Sequence, residues 1–271
     1  MTLTFRTGRL LILLLLQLLS ARIWAEPLPA GSAALYKQAQ TGHWFAQASQ
    51  LQPALYPTSE GRSFAVVWKS CPAPTRWIVS LHGSRGFATD DLAVWYPHLK
   101  DRQVGLVCLQ WWLGEGDATS GYYAPQEIYR EIDLLLQKLK VQPGQVMLEG
   151  FSRGAANSYA VVALDAGRGR HFFSLAVAQS GGVAHDYPPN RAILAGKFGD
   201  HPLRGTRWVT VAGGKDPNPE RDGIPAMRRT IKWLENQGAV VVEAIEDPRQ
   251  GHGALHRSAP NARRLLDLFL K

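Results

Sequence analysis

Two cysteines in 271 residues exclude a scaffold built on disulfides, and the chain is long enough to bury a sizeable core without them. One bridge, Cys71 to Cys108, stays open. Cys71 starts a connection and Cys108 falls inside an apolar run, whereas bridging needs Cα atoms within about 7 Å. Charged residues make up only 19% of the chain, so disorder driven by charge is excluded. The net charge is +8, but lysines and arginines are scattered without a stripe or block, which argues against nucleic acid as a partner. No histidine and carboxylate cluster has metal spacing and no glycine-rich dinucleotide fingerprint follows the first strands, so no cofactor is expected. Internal repeats and low-complexity blocks are also lacking beyond the N-terminal segment.

One long hydrophobic run is present, Leu10 to Leu19, preceded by Arg6 and Arg9 and followed by Ser20, Ala21 and Ala25. An apolar run of about ten residues is short of the roughly 20 that span a bilayer as a helix. Its order is that of a secretory leader, so residues 1–25 are read as a signal peptide cut near Ala25, although the bulky Ile23 blurs the cut position. No cysteine follows to accept a lipid. The expectation is an exported protein, secreted or periplasmic, with no stable membrane anchor.

Beyond the leader, apolar runs rich in β-formers recur: Phe64–Trp68, Trp77–Leu81, Val104–Gln110, Gln145–Glu149, Phe172–Ala178, Trp208–Ala212 and Ala239–Ala244. Several are continuous rather than alternating, as strands buried on both faces should be. Helical patterns lie between them. Pro125 opens one in which Ile128, Ile132, Leu135, Leu136 and Leu139 recur at helical spacing; others cover about Arg221–Asn236 and Ala262–Leu270,. This alternation predicts a single domain over 26–271 with a mostly parallel sheet covered by helices on both faces. The stretch 26–61 is a poorly readable extension with a short helix at Ala33–Gln40, and Gly182–Arg207 reads as a surface excursion.

The chemistry begins at Gly150-Phe151-Ser152-Arg153-Gly154, which follows the strand ending at Glu149 and precedes a small-residue run with helical character to Leu164. A serine held on a sharp strand-to-helix turn projects its hydroxyl above the sheet, and glycines two residues to either side remove the collision such a turn would create. A hydroxyl is a weak nucleophile near neutral pH and needs a base and an orienting acid. Asp216, in the glycine- and proline-rich loop after Trp208–Ala212, is the candidate acid, with Asp222 as substitute. His252, between glycines after Ala239–Ala244, is the candidate base, with His256 as competitor. The strand Trp77–Leu81 ends in His82-Gly83, so Gly83 or Ser84, together with Arg153, is placed to donate a backbone N–H to an oxyanion, while the His82 side chain reads as structural.

This order of strand, HG loop, elbow serine, loop aspartate and loop histidine resembles the α/β-hydrolase superfamily over roughly Ser63 to Lys271. Within it the chain looks most like compact secreted esterases of the dienelactone-hydrolase, polyhydroxybutyrate-depolymerase and feruloyl-esterase type. The resemblance implies a twisted sheet of about seven to eight strands, a Ser152, Asp216, His252 triad, and hydrolysis of a small-molecule or polymeric ester through an acyl-enzyme. Ser84 departs from the cysteine often found there in the depolymerases, and Ser152 from the cysteine nucleophile of dienelactone hydrolases. A peptidase, or a ligand-binding protein on the same fold, is the competing reading.

Two features speak to substrate. Trp111, Trp112, Tyr122 and Tyr123 follow the strand ending at Gln110 and either wall a pocket for an apolar or ring-bearing group or pack their own loop,. Arg85, Arg153 and Lys215 each stand beside a proposed functional residue and would favour a substrate carrying a carboxylate or phosphate.

Overall fold

The continuous apolar runs become the inner strands of an eight-stranded sheet in a computed structural model that describes residues 27–271. The strands are β1 Ala54–Pro57, β2 Phe64–Lys69, β3 Arg76–Leu81, β4 Val104–Leu109, β5 Val146–Phe151, β6 Phe173–Gln179, β7 Arg207–Gly213 and β8 Val240–Asp247. Their spatial order is β1-β2-β4-β3-β5-β6-β7-β8. β2 pairs antiparallel with β1 and β4, and every other pairing is parallel. All six residues of β4 are buried, which requires cover on both faces of the sheet. The partly exposed β8 closes one edge.

Helices α1 Ala30–Ala39, α2 Phe45–Gln50, α3 Ala88–Leu99, α4 Pro125–Lys138, α5 Arg153–Gly167, α6 Pro188–Leu194, α7 Ile224–Asn236 and α8 Ala259–Phe269 provide that cover. α4 turns Ile128, Ile132, Leu135 and Leu136 inward, as its spacing predicts, together with Tyr129, while Leu139 follows as its C-cap. α5 is buried along most of its length, from Gly154 to Asp165, so it is the central helix against the sheet. The leader lies outside the described residues.

The 26–61 extension is part of the domain from residue 27 onward. Leu35 and Ala39 of α1 enter the core, and Ser32 is tied to the turn before β2 through Gly61 O (2.9 Å) and Ser63 O (2.5 Å). β1 adds a strand that the sequence pattern hides between prolines. The surface excursion 182–207 contains the short helix α6. Cys71 and Cys108 are both free thiols, Cys108 being buried within β4.

Beneath the second half of the sheet, Trp208 of β7 is fully buried. Its ring packs on Tyr159 at 5.3 Å and its Nε1 donates to Thr206 Oγ1 at 2.9 Å. Trp208→Ala empties this volume, and urea unfolding should show a loss of about 3–5 kcal/mol.

Candidate functional site

β5 turns into α5 at one residue, Ser152, whose φ of 54° and ψ of −116° lie where L-residues are sparsely found; holding such a conformation costs of order 1–3 kcal/mol. Three glycines make the turn possible by letting backbone meet backbone. A Cβ on Gly150 would stand 2.5 Å from Gly154 O, one on Gly154 2.0 Å from Leu81 O, and one on Gly181 2.1 Å from Ser152 O. The first two were legible in the motif; Gly181, at the end of β6, was not. Ser152 N donates to Gln179 O at 2.8 Å, which fixes the elbow against β6.

The loops after β7 and β8 bring Asp216 to His252. His252 Nδ1 donates to Asp216 Oδ2 at 2.8 Å, and Asp216 Oδ1 accepts from Asn218 N at 2.9 Å. The Asp216 side chain is wholly buried whereas the His252 side chain is 31% exposed. This polarity leaves His252 Nε2 with a lone pair facing the cleft. The loops can meet because Gly213 lies under the His252 loop, where a Cβ would be 2.1 Å from Gly251 O. Ser152 and His252 share the walls of two adjoining cavities. Among the described residues the Ser152 hydroxyl has no hydrogen-bond partner; in ligand-free sites such bonds are often long and tighten on substrate binding.

The alternatives take other places. Asp222 is the third member of a group whose ligand atoms, with those of Asp216 and His252, all lie within 4.8 Å of one another. Burial raises its pKa, His252 opposes the rise and Asp216 adds to it. Such a trio could in principle hold a cation, but His252 Nδ1 is already engaged with Asp216. His256 turns away from Ser152: its Nε2 lies 3.8 Å from Glu149 Oε1 and its ring meets Trp95 edge-on at 4.9 Å. Burial, with a smaller push from His98, lowers its pKa to about 3.

In the HG loop, His82 is fully enclosed. Its Nδ1 donates to Gly83 O at 2.8 Å and its Nε2 accepts from Trp111 N at 3.3 Å, while desolvation lowers its pKa to about 4. The neutral ring thus pins the carbonyl of Gly83, which also accepts from Gly86 N at 3.1 Å. Arg85 N is taken up by Tyr122 Oη at 3.0 Å. The N–H groups of Gly83, Ser84 and Arg153 have no acceptor among the described residues; Ser84 and Arg153 also line the smaller cavity beside Ser152.

The four aromatic residues pack their loop instead of walling the cleft. Trp111 stacks on His82 at 5.3 Å, Trp112 bridges to Tyr122, and Tyr123 Oη meets Thr58 Oγ1 at 3.1 Å. All are buried and none lines either cavity at Ser152. Arg85 and Lys215 are exposed and also lie outside both cavities. Arg153 does line the smaller one, but its charge is answered by Asp117 (Nη2 to Oδ1, 3.3 Å) and by the Tyr122 ring, 4.3 Å from Cζ to centroid. Of the three cations expected at the rim, Arg153 alone lines a cavity at Ser152; Arg221 in the smaller cavity and Arg257 in the larger were not among them.

The two cavities differ in character. The smaller, about 260 Å³, is polar and includes Asp117, Tyr187, Asn218, Arg221 and Asp222. The larger, about 620 Å³, is walled by Trp44, Val94, Pro97, Phe151 and Arg257. Ser84, Ser152 and His252 belong to both, so these three stand where the cavities join.

No protein-family model matches this chain, and no curated protein matches it. Solved structures do. A hyperthermophilic esterase from the archaeon Pyrobaculum calidifontis superposes with a TM-score of 0.62 over 96% of both chains at 14% identity. A carboxylesterase from Mesorhizobium loti gives 0.55 at 15% identity, over 75% of this chain and 94% of the other. A phospholipase/carboxylesterase from Dyadobacter fermentans DSM 18053 gives 0.53 at 16%, over 76% and 96%. The chain has the α/β-hydrolase fold.

Gly181→Ala adds one carbon against Ser152 O, behind the elbow backbone. It should lower the rate at which an organophosphorus probe labels Ser152 by about 100-fold, the scale of a 1 Å misplacement, with the far-ultraviolet circular dichroism unchanged.

Proposed function

We propose that the protein is an exported serine hydrolase that cleaves carboxylic esters through an acyl-enzyme on Ser152. The observation that carries this is the Asp216–His252 hydrogen bond at 2.8 Å set beside a serine on a strained glycine-flanked elbow. Esterases among the solved structures of the same fold support it.

In this reading His252 Nε2 takes the Ser152 proton as Oγ attacks the ester carbonyl. The negative charge moves to the carbonyl oxygen, where the N–H groups of Ser84 and Arg153 receive it. Such donors typically contribute about 3–4 kcal/mol each in the transition state. The imidazolium returns its proton to the departing alcohol oxygen, and a water activated by the same nitrogen then releases the acid and regenerates Ser152. Asp216 holds the ring in the productive tautomer and stabilises its positive form. Division of the cleft supports an ester with its bulkier apolar group against Trp44, Val94, Pro97 and Phe151 and a smaller polar group beside Tyr187 and Arg221.

A fluorophosphonate should label the wild type and leave Ser152→Ala unlabelled; labelling that survives the substitution removes Ser152 from the mechanism. Asp216→Asn should reduce kcat by about 10⁴-fold, the loss seen elsewhere when the acid behind a catalytic histidine is neutralised. Export has its own check: intact-mass analysis of protein recovered from outside the cytoplasm should give a mature chain starting close to Glu26, and recovery of the full-length chain would contradict the leader reading.

A further inference from the structure

Directly beneath the site lies a group the triad does not use. Ser80 of β3 and Glu149 of β5 are register neighbours across the sheet, and Asp91 reaches them from α3. Ser80 Oγ stands 2.7 Å from Asp91 Oδ2 and 2.9 Å from Glu149 Oε2, and it accepts from Trp95 Nε1 at 3.3 Å. The three polar side chains are buried.

Counting protons constrains this arrangement. A hydroxyl has one hydrogen and two lone pairs. Trp95 occupies one lone pair, the hydrogen serves one carboxylate, and the other carboxyl can bond Ser80 only by carrying a proton itself. Glu149 suits that role. Its Oε1 faces the Gln179 amide nitrogen at 3.2 Å once that amide is turned to satisfy both its neighbours, leaving Oε2 to donate to Ser80 while Asp91 accepts. Two carboxylates without this proton would face each other with Glu149 fully enclosed and Asp91 only grazing the larger cavity, which is costly.

The position of the cluster gives it a consequence. Ser80 lies two residues before His82, whose ring sets the Gly83–Gly86 loop, and Glu149 lies three residues before Ser152. We propose that the proton shared by Asp91 and Glu149 through Ser80 positions the oxyanion loop against the nucleophile elbow, so that turnover fails when the second carboxyl ionises. The inference rests on the esterase reading for its activity readout.

The neighbours agree with this. Asp90 and Asp91 approach from α3, the Cys108 thiol from β4, Gln179 from β6, and His256 from the loop after β8, with His98 behind it. Burial, then the charge of Asp91, pushes Glu149 up to about 8, and burial raises Asp91 as well. The same two carboxyls add to the rise that burial imposes on Cys108, so the thiol stays neutral. His256, held low by burial, stays neutral and supplies no countercharge.

Glu149→Gln tests it, because the amide nitrogen donates permanently to Ser80 and the amide oxygen accepts from Gln179. With a simple ester, wild-type kcat should fall by about tenfold per pH unit above about 8 while KM holds. Glu149→Gln should keep the pH 7 kcat within about twofold and lose that alkaline limb, and Asp91→Asn, the reciprocal change, should lose it too. Glu149→Ala, with no donor for Ser80, should be poor at every pH. Superimposable alkaline limbs in wild type and both amide variants overturn the proposal.

Melting curves separate this from a failure of the esterase reading. A carboxyl whose pKa is raised on folding stabilises fully below its unfolded value, 4.5, and loses that contribution as pH rises through about 8,. The wild-type Tm should therefore fall relative to Glu149→Gln between about pH 5 and 8 whether or not any ester is cleaved. A Tm difference independent of pH overturns the shared proton itself.

Discussion

Everything at the cleft depends on how closely three pieces of backbone approach one another at Ser152. Gly154 lies on the carbonyl of Leu81, Gly181 on the carbonyl of Ser152, and Gly150 on the first turn of α5. These contacts leave no room for a Cβ, and they set the end of β3, the elbow after β5 and the end of β6 in one fixed relation. The unfavourable φ of Ser152 is the cost of that relation. It is tolerated because the inner strands are buried and well paired, and a packed sheet does not relax locally to release strain at one residue.

Electrostatics in the site follows from which groups are dry. The Asp216 carboxylate, with no exposed surface, is satisfied by one backbone N–H and one imidazole N–H, the arrangement that stabilises a positive ring when it forms. His82 and His256 are enclosed as well, but with no carboxylate in hydrogen-bond reach, so burial keeps them neutral and limits them to structural contacts. Arg153 shows the opposite case. Its side chain is paired with Asp117 and lies over the Tyr122 ring, while its N–H remains open beside Ser152. Charge near Ser152 therefore says little about substrate until its partners are known.

Much of the architecture was legible in one dimension. Seven of the eight strands follow from apolar runs rich in β-formers, and several of these are continuous because strands buried on both faces leave that mark. β1 left none, being four half-buried residues beside prolines. α3 carries Pro97 in its last turns, which breaks the usual pattern. Ser152, Asp216 and His252 were readable because glycines and strand ends flank each of them. What stayed hidden depends on contacts between distant segments: Gly181 under the elbow, the shared hydroxyl of Ser80, and Trp44 reaching the large cavity from before the sheet. The aromatic run after β4 left both readings open for the same reason, since whether Trp111 and Tyr122 face a cleft or their own loop is decided by the His82 ring and by Asp117.

The central claim is that Ser152 carries the acyl group during turnover. Rapid mixing with a nitrophenyl ester, followed by an acid quench and peptide mass analysis, tests it most directly. A burst of about one equivalent of nitrophenol per chain is expected, with the acyl mass on the peptide containing Ser152. Turnover without a burst and without acylated peptide, or acyl mass on another residue, would contradict it.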